Sequence, residues 1–295
     1  MPACSHSPPL TASDRLVPAG QLRPSASRWG SALRPLFEFQ ASLPAPVKTA
    51  AAICAWLALL AVWQFAPRPE GMDQLLPTPA DVLRTLTTLV TEKDFAVDVG
   101  ASLQRILVSF AIAAAIALPL GILMGTFPIV EAFLNPLVSP LRYLPAPSFI
   151  PLLLALMGTG DSQKIALLVI GVVWFLVSLV MDDTKRVPKD LLEASRTLGA
   201  GRLKAIFAVI IPSALPFFLD TMRQMLAVSW TYLVIAEIIA ATDGIGAVMM
   251  RARRLVRMDI ILACILTIGT LGLLSDTLIR ALRHAAFPYL RQPRR

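Results

Sequence analysis

Long apolar runs separated by short polar connections fill the chain from about residue 48 onward. Charge-free intervals lie between Lys48 and Arg68, Arg105 and Glu131, Arg142 and Asp161, Lys164 and Asp182, Arg223 and Glu237, and Asp259 and Asp276. A helix needs roughly 20 apolar residues to cross the hydrocarbon core of a bilayer, and several intervals approach that length. The shorter ones gain reach from a terminal Lys or Arg that snorkels to the interface. The pattern predicts six spans, near 48–66, 103–126, 141–159, 163–182, 213–241 and 259–282. An isolated strand in lipid would leave its backbone groups unpaired, so the spans are expected to be helices and the fold class all-α integral membrane.

Composition agrees with the pattern. Hydrophobic residues make up 56% of the 295 positions, and the charges are sparse and clustered, which excludes an ordinary soluble domain. The net charge of +8 follows from the placement of Lys and Arg relative to the spans and calls for no nucleic-acid partner. Three segments are basic: the tail with Arg15, Arg23, Arg28, Arg34 and Lys48, the connection with Lys185, Arg186, Lys189, Arg196, Arg202 and Lys204, and the C-terminus with Arg280, Arg283, Arg291, Arg294 and Arg295. With six spans all three fall on one side, which the positive-inside bias makes cytoplasmic, and both termini with it. Arg251, Arg253, Arg254 and Arg257 fall on the opposite side and stand as the exception. Residues 1–46, rich in Pro, Ser and Ala and without apolar periodicity, read as a disordered tail, and 291–295 as a short C-terminal one.

Several chemistries find no residues to work with. Cys4, Cys54 and Cys264 are far apart and His6 and His284 are the only histidines, so neither a disulfide framework nor a metal centre is expected. A Gly-rich phosphate loop ending in Lys-Ser or Lys-Thr is absent, so the chain is not expected to hydrolyse a nucleotide itself, and no cofactor is implied.

The polar insert from Val187 to Pro216 stands out between two apolar runs. Pro188 suits a first helical turn, Asp190 and Glu193 complement the positive end of the dipole, and Gly199 with Gly201 end the helix, so 188–198 is predicted as a short helix. A second helix is predicted to run from there to Pro212. Leu191, Leu192, Ser195 and Leu198 form a narrow apolar stripe beside Lys189 and Arg196. Such a helix suits a groove on a soluble partner and would carry movement into the attached spans.

Glu193-Ala194-Ser195, Gly199, Val209, Ile211 and Pro212 resemble the cytoplasmic coupling motif of binding-protein-dependent ABC importer permeases. The departures from that motif, Ser195 for a second Ala and Val209 and Ile211 for Ile and Leu, are similar in size. The likeness extends from about Leu76 to Leu290, through LPTPADVLRTL, ASLQRILVSF, LPLGILMG, LRYLPAPSFIPLLLALMGTGDSQKI, LAVSWTYLVIAEII and TDGIGAVMMRA, and is to the nitrate, sulfonate and taurine branch. The resemblance implies a permease domain over 47–290 whose coupling hairpin, 185–212, docks ATP-binding subunits through Glu193, Ala194, Ser195, Leu198 and Gly199. It also implies a periplasmic solute-binding protein, a homodimer embedded in inner-membrane lipid, a small anionic solute, and ATP hydrolysis on a separate subunit.

The pathway itself is less sharply marked. Pro145, Pro147 and Pro151 remove helix hydrogen bonds, and irregular backbone is tolerated in a membrane only against protein or a water-filled cavity. Pro147 and Pro151 are therefore candidate lining residues, with helix packing as the competing reading. Glu237, costly inside a span, is a candidate for the same route or for a structural pairing with a nearby Arg. Trp230, Thr231 and Tyr232 beside it are either lining or interfacial packing residues. Asp220 and Arg223 are expected to pair, Gly121 and Gly125 to permit close helix approach, and Gly244 and Gly246 to form a turn. The Arg251–Arg257 cluster either meets a docked binding protein or is a solvated basic face. A self-contained secondary carrier or intramembrane enzyme remains the alternative, though neither inverted repeats nor clustered catalytic groups are visible.

Overall fold

The computed structural model describes residues 44–66, 75–92, 94–240 and 242–288. The tail placed at 1–46 therefore lies almost wholly outside the described residues, as does the C-terminal tail at 291–295. The chain divides into one compact unit ending at Val62 and a second beginning at Trp63. The first contains most of helix α1 (Ala45–Phe65), whose 21 residues are apolar on every side but for Lys48 and Thr49 near its start and Gln64 at its end. At about 1.5 Å per residue that length matches a bilayer core.

The second unit is a helical bundle. It comprises α2 (Pro79–Glu92), α3 (Phe95–Thr126), α4 (Pro128–Leu141), a 3₁₀ turn (Ala146–Phe149), α5 (Ile150–Met157), α6 (Asp161–Lys185), α7 (Lys189–Thr197), α8 (Arg202–Ala205), α9 (Ile211–Ala240), α10 (Ile245–Arg254) and α11 (Met258–Ala286). Helices α1, α3, α6, α9 with its preceding turns, and α11 are each long and apolar enough to cross a membrane, and α4 with α5 makes a sixth crossing if counted as one bent span.

Helix α6 is the centre of the bundle, with Leu176, Val177 and Val180 fully buried against Ala113 and Ala117 of α3 and Ala214 and Phe218 of α9. Two glycines allow the α3–α6 contact. A β-carbon on Gly121 would lie 2.7 Å from Val180 Cβ and 2.8 Å from the Val177 carbonyl, and one on Gly125 would lie 2.8 Å from the Met181 carbonyl. Backbones this close leave room for hydrogen only, the small-residue packing expected where lipid removes the hydrophobic drive between helices.

The amphipathic α2 was not among the predicted elements. Its start is a reciprocal cap: Asp81 N–H donates to Thr78 Oγ1 at 3.1 Å, and Thr78 N–H and hydroxyl donate to Asp81 Oδ2 at 3.2 and 2.6 Å, with Pro79 in the first turn. Val82 and Leu89 are buried on the side facing α11, and the Thr85 hydroxyl donates to Asp259 at 2.7 Å.

Two predicted boundaries are corrected. The span placed at 141–159 is not one helix: α4 ends at Leu141, and its axis and that of the following 3₁₀–α5 segment meet at 83°. Pro145 is extended at ψ 113, Pro147 donates no hydrogen bond, and a residue before proline is pushed out of the helical region, so the chain between Arg142 and Pro145 has no helical route. The apolar half that precedes the bend, α4, was hidden by Glu131, which ion-pairs with Lys185. The second helix of the hairpin also fails to stop at Pro212. It passes through a π-helical turn (Ile206–Ile210) directly into α9, because that turn moves Ile211 N–H onto the Ile206 carbonyl and shifts the register just where Pro212 has no N–H to give.

Gly121→Val should lower the stability of the detergent-solubilised protein by about 1–3 kcal/mol, the usual cost of overpacking. A thermal unfolding midpoint equal to that of the wild type would show that the α3–α6 contact yields without cost.

Candidate functional site

Helix α6 begins and α9 ends at one pole of the bundle, and α6 ends and α9 begins at the other. The 25 residues of α6 separate the poles by about 36 Å at the helical rise. Each pole carries its own cluster of polar residues.

The first pole is the hairpin. Helix α7 begins after Pro188 and closes in a Schellman cap: Gly199, at φ +78, donates to the Arg196 carbonyl at 2.9 Å, and Ala200 N–H donates to the Ser195 carbonyl at 2.9 Å. A side chain with a β-carbon strains that left-handed position, which is the local reason for glycine there. Ser195 is buried with its hydroxyl turned back on the Leu192 carbonyl of the same helix at 2.8 Å, and Leu192 packs α7 onto the core that includes Val187 and Ile206. Glu193, Ala194 and Gly199 are exposed. Leu198 is 88% exposed, and Leu191, Leu203 and Phe207 of the same hairpin are also exposed, an apolar surface with no cover among the described residues.

The second pole is a buried ion-pair hub. Arg105 of α3 is only 2% exposed, yet four groups receive its guanidinium. Its Nη1 donates to Glu237 Oε1 at 2.8 Å and to the Asp243 carbonyl at 3.1 Å, its Nη2 to Asp243 Oδ1 at 2.7 Å, and its Nε to Asp161 Oδ1 at 2.8 Å. Glu237, 1% exposed, also accepts from the Ser102 hydroxyl at 2.8 Å and from Gly246 N–H at 2.8 Å. Ile245 N–H donates to Ser102 Oγ at 2.9 Å and Gly244 N–H to Asp98 Oδ1 at 2.7 Å. The unpaired N–H groups at the start of α10 thus point at side chains of α3 and α9, and the positive end of its dipole meets carboxylates.

Gly244 and Gly246 are required by that approach. A β-carbon on Gly244, at φ +101, would stand 2.6 Å from Arg105 Nη1. Burial works against ionisation of Asp243, but the hydrogen bond and charge of Arg105, joined by the Thr242 hydroxyl and the charge of Lys164, together hold the carboxyl below its ordinary value of 3.8. Among the described residues no group of His, Cys, Asp and Glu has the arrangement to hold a metal ion.

Residues 117–286 match the family described as binding-protein-dependent transport system inner membrane component. The chain belongs to that family of ABC importer permeases. The taurine transport system permease protein TauC of Escherichia coli is 32% identical over 78% of this chain and 86% of its own length. The nitrate import permease protein NrtB of Synechocystis is 29% identical over 83% of this chain and 90% of its own. A chain of the MetNI methionine ABC transporter, solved in an inward-facing conformation, covers 62% of this chain and 94% of its own at TM-score 0.54 and 24% identity, a likeness of fold. Membership makes the protein a transport component and implies ATP-binding subunits, a periplasmic binding protein and a multi-pass place in the inner membrane. The self-contained carrier or enzyme, open on sequence, is thereby closed.

The permease does not gather its candidate pathway residues in one place. Pro147, in the 3₁₀ turn, is half-buried and Pro151 exposed. Trp230 is buried, whereas Thr231 is exposed, and both line a cleft of 310 Å³ with Val234, Ile235, Met249, Ile265 and Ile268. Glu237 takes the structural pairing with an Arg, and its carboxylate is closed off from any opening of the protomer. Arg223 lies 3.9 Å from Asp220 but only 2.8 Å from Asp276 of α11, so the expected pair is the weaker of its two contacts. The basic cluster divides. Arg251 pairs with Asp98 and Arg257 with Asp259 at 2.9 and 2.6 Å, while Arg253 and Arg254 are exposed and make no ion pair among the described residues.

Arg105, Ser102, Asp161 and Asp243 were missed as site residues. The signal lay in Arg105 itself, a cation inside the span placed at 103–126, where an ionisable group calls for a buried partner.

Glu237→Gln should destabilise the permease by about 1.5–3 kcal/mol, the scale of one charged hydrogen bond, since Arg105 keeps Asp161 and Asp243 but loses its one fully buried carboxylate. The Arg105→Met, Glu237→Met double variant should recover a large part of that loss, and a double-mutant cycle in thermal stability that shows simple additivity would deny the coupling.

Proposed function

We propose that the chain carries a small anionic solute of the nitrate, sulfonate or taurine kind from a periplasmic binding protein into the cytoplasm, driven by ATP hydrolysis on separate subunits docked at the α7 hairpin. The observation that carries this reading is the apolar surface of Leu191, Leu198, Leu203 and Phe207, uncovered among the described residues, on a hairpin whose exposed, glycine-capped helix joins two spans. A surface of that kind beside Glu193 and Gly199 suits a groove on a soluble partner. In this assignment Glu193, Ala194, Leu198 and Gly199 meet the ATP-binding subunit, and Ser195 lies on the buried side of the helix.

The hairpin pole is then cytoplasmic, with both termini on that side, and the Arg105 hub faces the periplasm. Two copies of the chain enclose the route. The taurine and nitrate relatives support the solute class. Pro147, Pro151, Trp230 and Thr231 lie along the route, while Glu237 fixes the outer turn and does not touch the solute. The exposed Leu107, Ile112 and Ile116 of α3 and Leu273, Leu274 and Leu278 of α11 face lipid.

Leu198→Asp tests the docking without touching the bundle, since that side chain packs on little of its own chain. Co-purification with the ATP-binding subunit should fall at least about tenfold, the scale of burying one carboxylate in an apolar contact, at equal membrane insertion. Undiminished co-purification would place the docking surface elsewhere.

A further inference from the structure

The charged residues of α9 are all engaged. Asp220 pairs with Arg223 and Arg283, Arg223 with Asp276, and Glu237 with Arg105. Between Arg223 and Glu237 the helix nonetheless leaves two uncharged polar side chains exposed, Gln224 and Thr231. They are seven positions apart, which places them on the same face about 10 Å apart along the axis, with the small Ala227 exposed between them.

Faces fit for lipid look different here: beyond Gln104, near its start, α3 exposes Leu107, Val108, Ile112 and Ile116, and α11 exposes Leu273, Leu274 and Leu278. Where α11 carries hydroxyls it folds them away: Thr267, Thr270, Ser275 and Thr277 each donate to the carbonyl one turn back. Ser229 on α9 does the same. Thr231 does not, and its hydroxyl has no partner among the described residues. Gln224 gives one amide hydrogen to the Asp220 carbonyl at 3.3 Å, which leaves a second donor and the amide oxygen free. Polar groups with unspent hydrogen-bonding capacity are expensive in hydrocarbon and belong against water or a polar solute.

We infer that the Gln224–Ala227–Thr231 face of α9 is the solute-contacting wall of the pathway, where a small oxyanion is passed between two neutral hydrogen-bond donors. The inference rests on the importer reading above and adds to it the residues and the kind of contact. A separation of about 10 Å is too great for one small oxyanion to span, so the two groups are successive stations. Neutral donors suit transit, since a full positive charge in a low-dielectric path would hold an anion too strongly for release. Thr231 also sits on the 310 Å³ apolar cleft between α9, α10 and α11, which gives the hydrocarbon part of an alkyl sulfonate somewhere to lie while its oxygens meet the hydroxyl.

The test uses the full chain with Cys4, Cys54 and Cys264 replaced by Ala, co-expressed with its ATP-binding subunit. Gln224→Cys, Thr231→Cys and, as a lipid-side reference, Leu274→Cys are each exposed to 2-sulfonatoethyl methanethiosulfonate with and without ATP. A thiol in water ionises and one in lipid stays protonated, so the two α9 variants should react at least about tenfold faster than the reference, and taurine or nitrate should slow them. Reaction no faster than that of Leu274→Cys in every nucleotide state would overturn the inference. With binding protein present, Thr231→Val should cut solute uptake about tenfold, the scale of one neutral hydrogen bond, while Thr231→Ser restores it; a merely structural threonine would show no such rescue. ATP-binding subunit that co-purifies while both cysteines stay inert removes the wall and leaves the importer standing. Fast labelling in a chain that binds no such subunit removes the importer reading and keeps a water-lined face.

Discussion

A guanidinium enclosed by apolar helices must bring its counter-charges with it, and the position of Arg105 dictates the arrangement of its whole pole. The cost of desolvating an ion is several kcal/mol even after relaxation, so Glu237, Asp161 and Asp243 have to converge from α9, the start of α6 and the turn before α10. Each arrives on a different segment. The result is that three parts of the chain far apart in sequence, around residues 105, 161 and 237–243, are held in one mutual geometry by a single side chain. The glycines at 244 and 246 then follow as a steric corollary, because the turn has to press its backbone onto the carboxylate and the guanidinium.

The opposite pole is organised on a different principle. Its ion pairs, Lys185 with Glu131, Arg186 with Asp183, and Arg280 and Arg223 with Asp276, are partly exposed and so contribute little apiece. There the bundle is held chiefly by the apolar packing of α3, α6 and α9, and the hairpin is seated on it by a few apolar side chains, Val187, Leu192 and Ile206. A rigid pole and a loosely tethered one at the two ends of the same helices suit a machine that receives force at one end and must keep a fixed docking surface at the other.

Much of this was legible in the residues. Apolar run length located α1, α3, α6, α9 and α11, since a bilayer sets a length that few other constraints imitate, and the coupling motif marked α7. The bent α4–α5 crossing was not legible, because Glu131 and Arg142 interrupt the hydropathy of α4 and prolines at 145, 147 and 151 say that a helix breaks without saying at what angle. The π turn at 206–210 was invisible for a related reason: Pro212 reads as a stop unless the register shift that accommodates it is known. The partner of Glu237 was anticipated as an arginine but not identified, because pairing between residues 132 apart leaves no periodicity in one sequence.

The same π turn makes the segment from Arg202 to Ile239 one rod of 38 residues, roughly 57 Å long at the helical rise. Part-way along, Tyr232 is pressed against Gly171 of α6, where a β-carbon would lie 2.9 Å from its ring. Taken as a pivot, that contact divides the rod into unequal arms, the longer of which also rests on α6 through Ala214 and Phe218. A rod held there turns a sideways displacement of its hairpin end into an opposite one beyond the contact, and the unequal arms reduce its amplitude: the long arm lies on the side that is pushed, the short arm on the side clamped by Arg105. Geometry of this kind trades travel for force, so a generous swing of the exposed hairpin would reach the hub as a small and strong tilt.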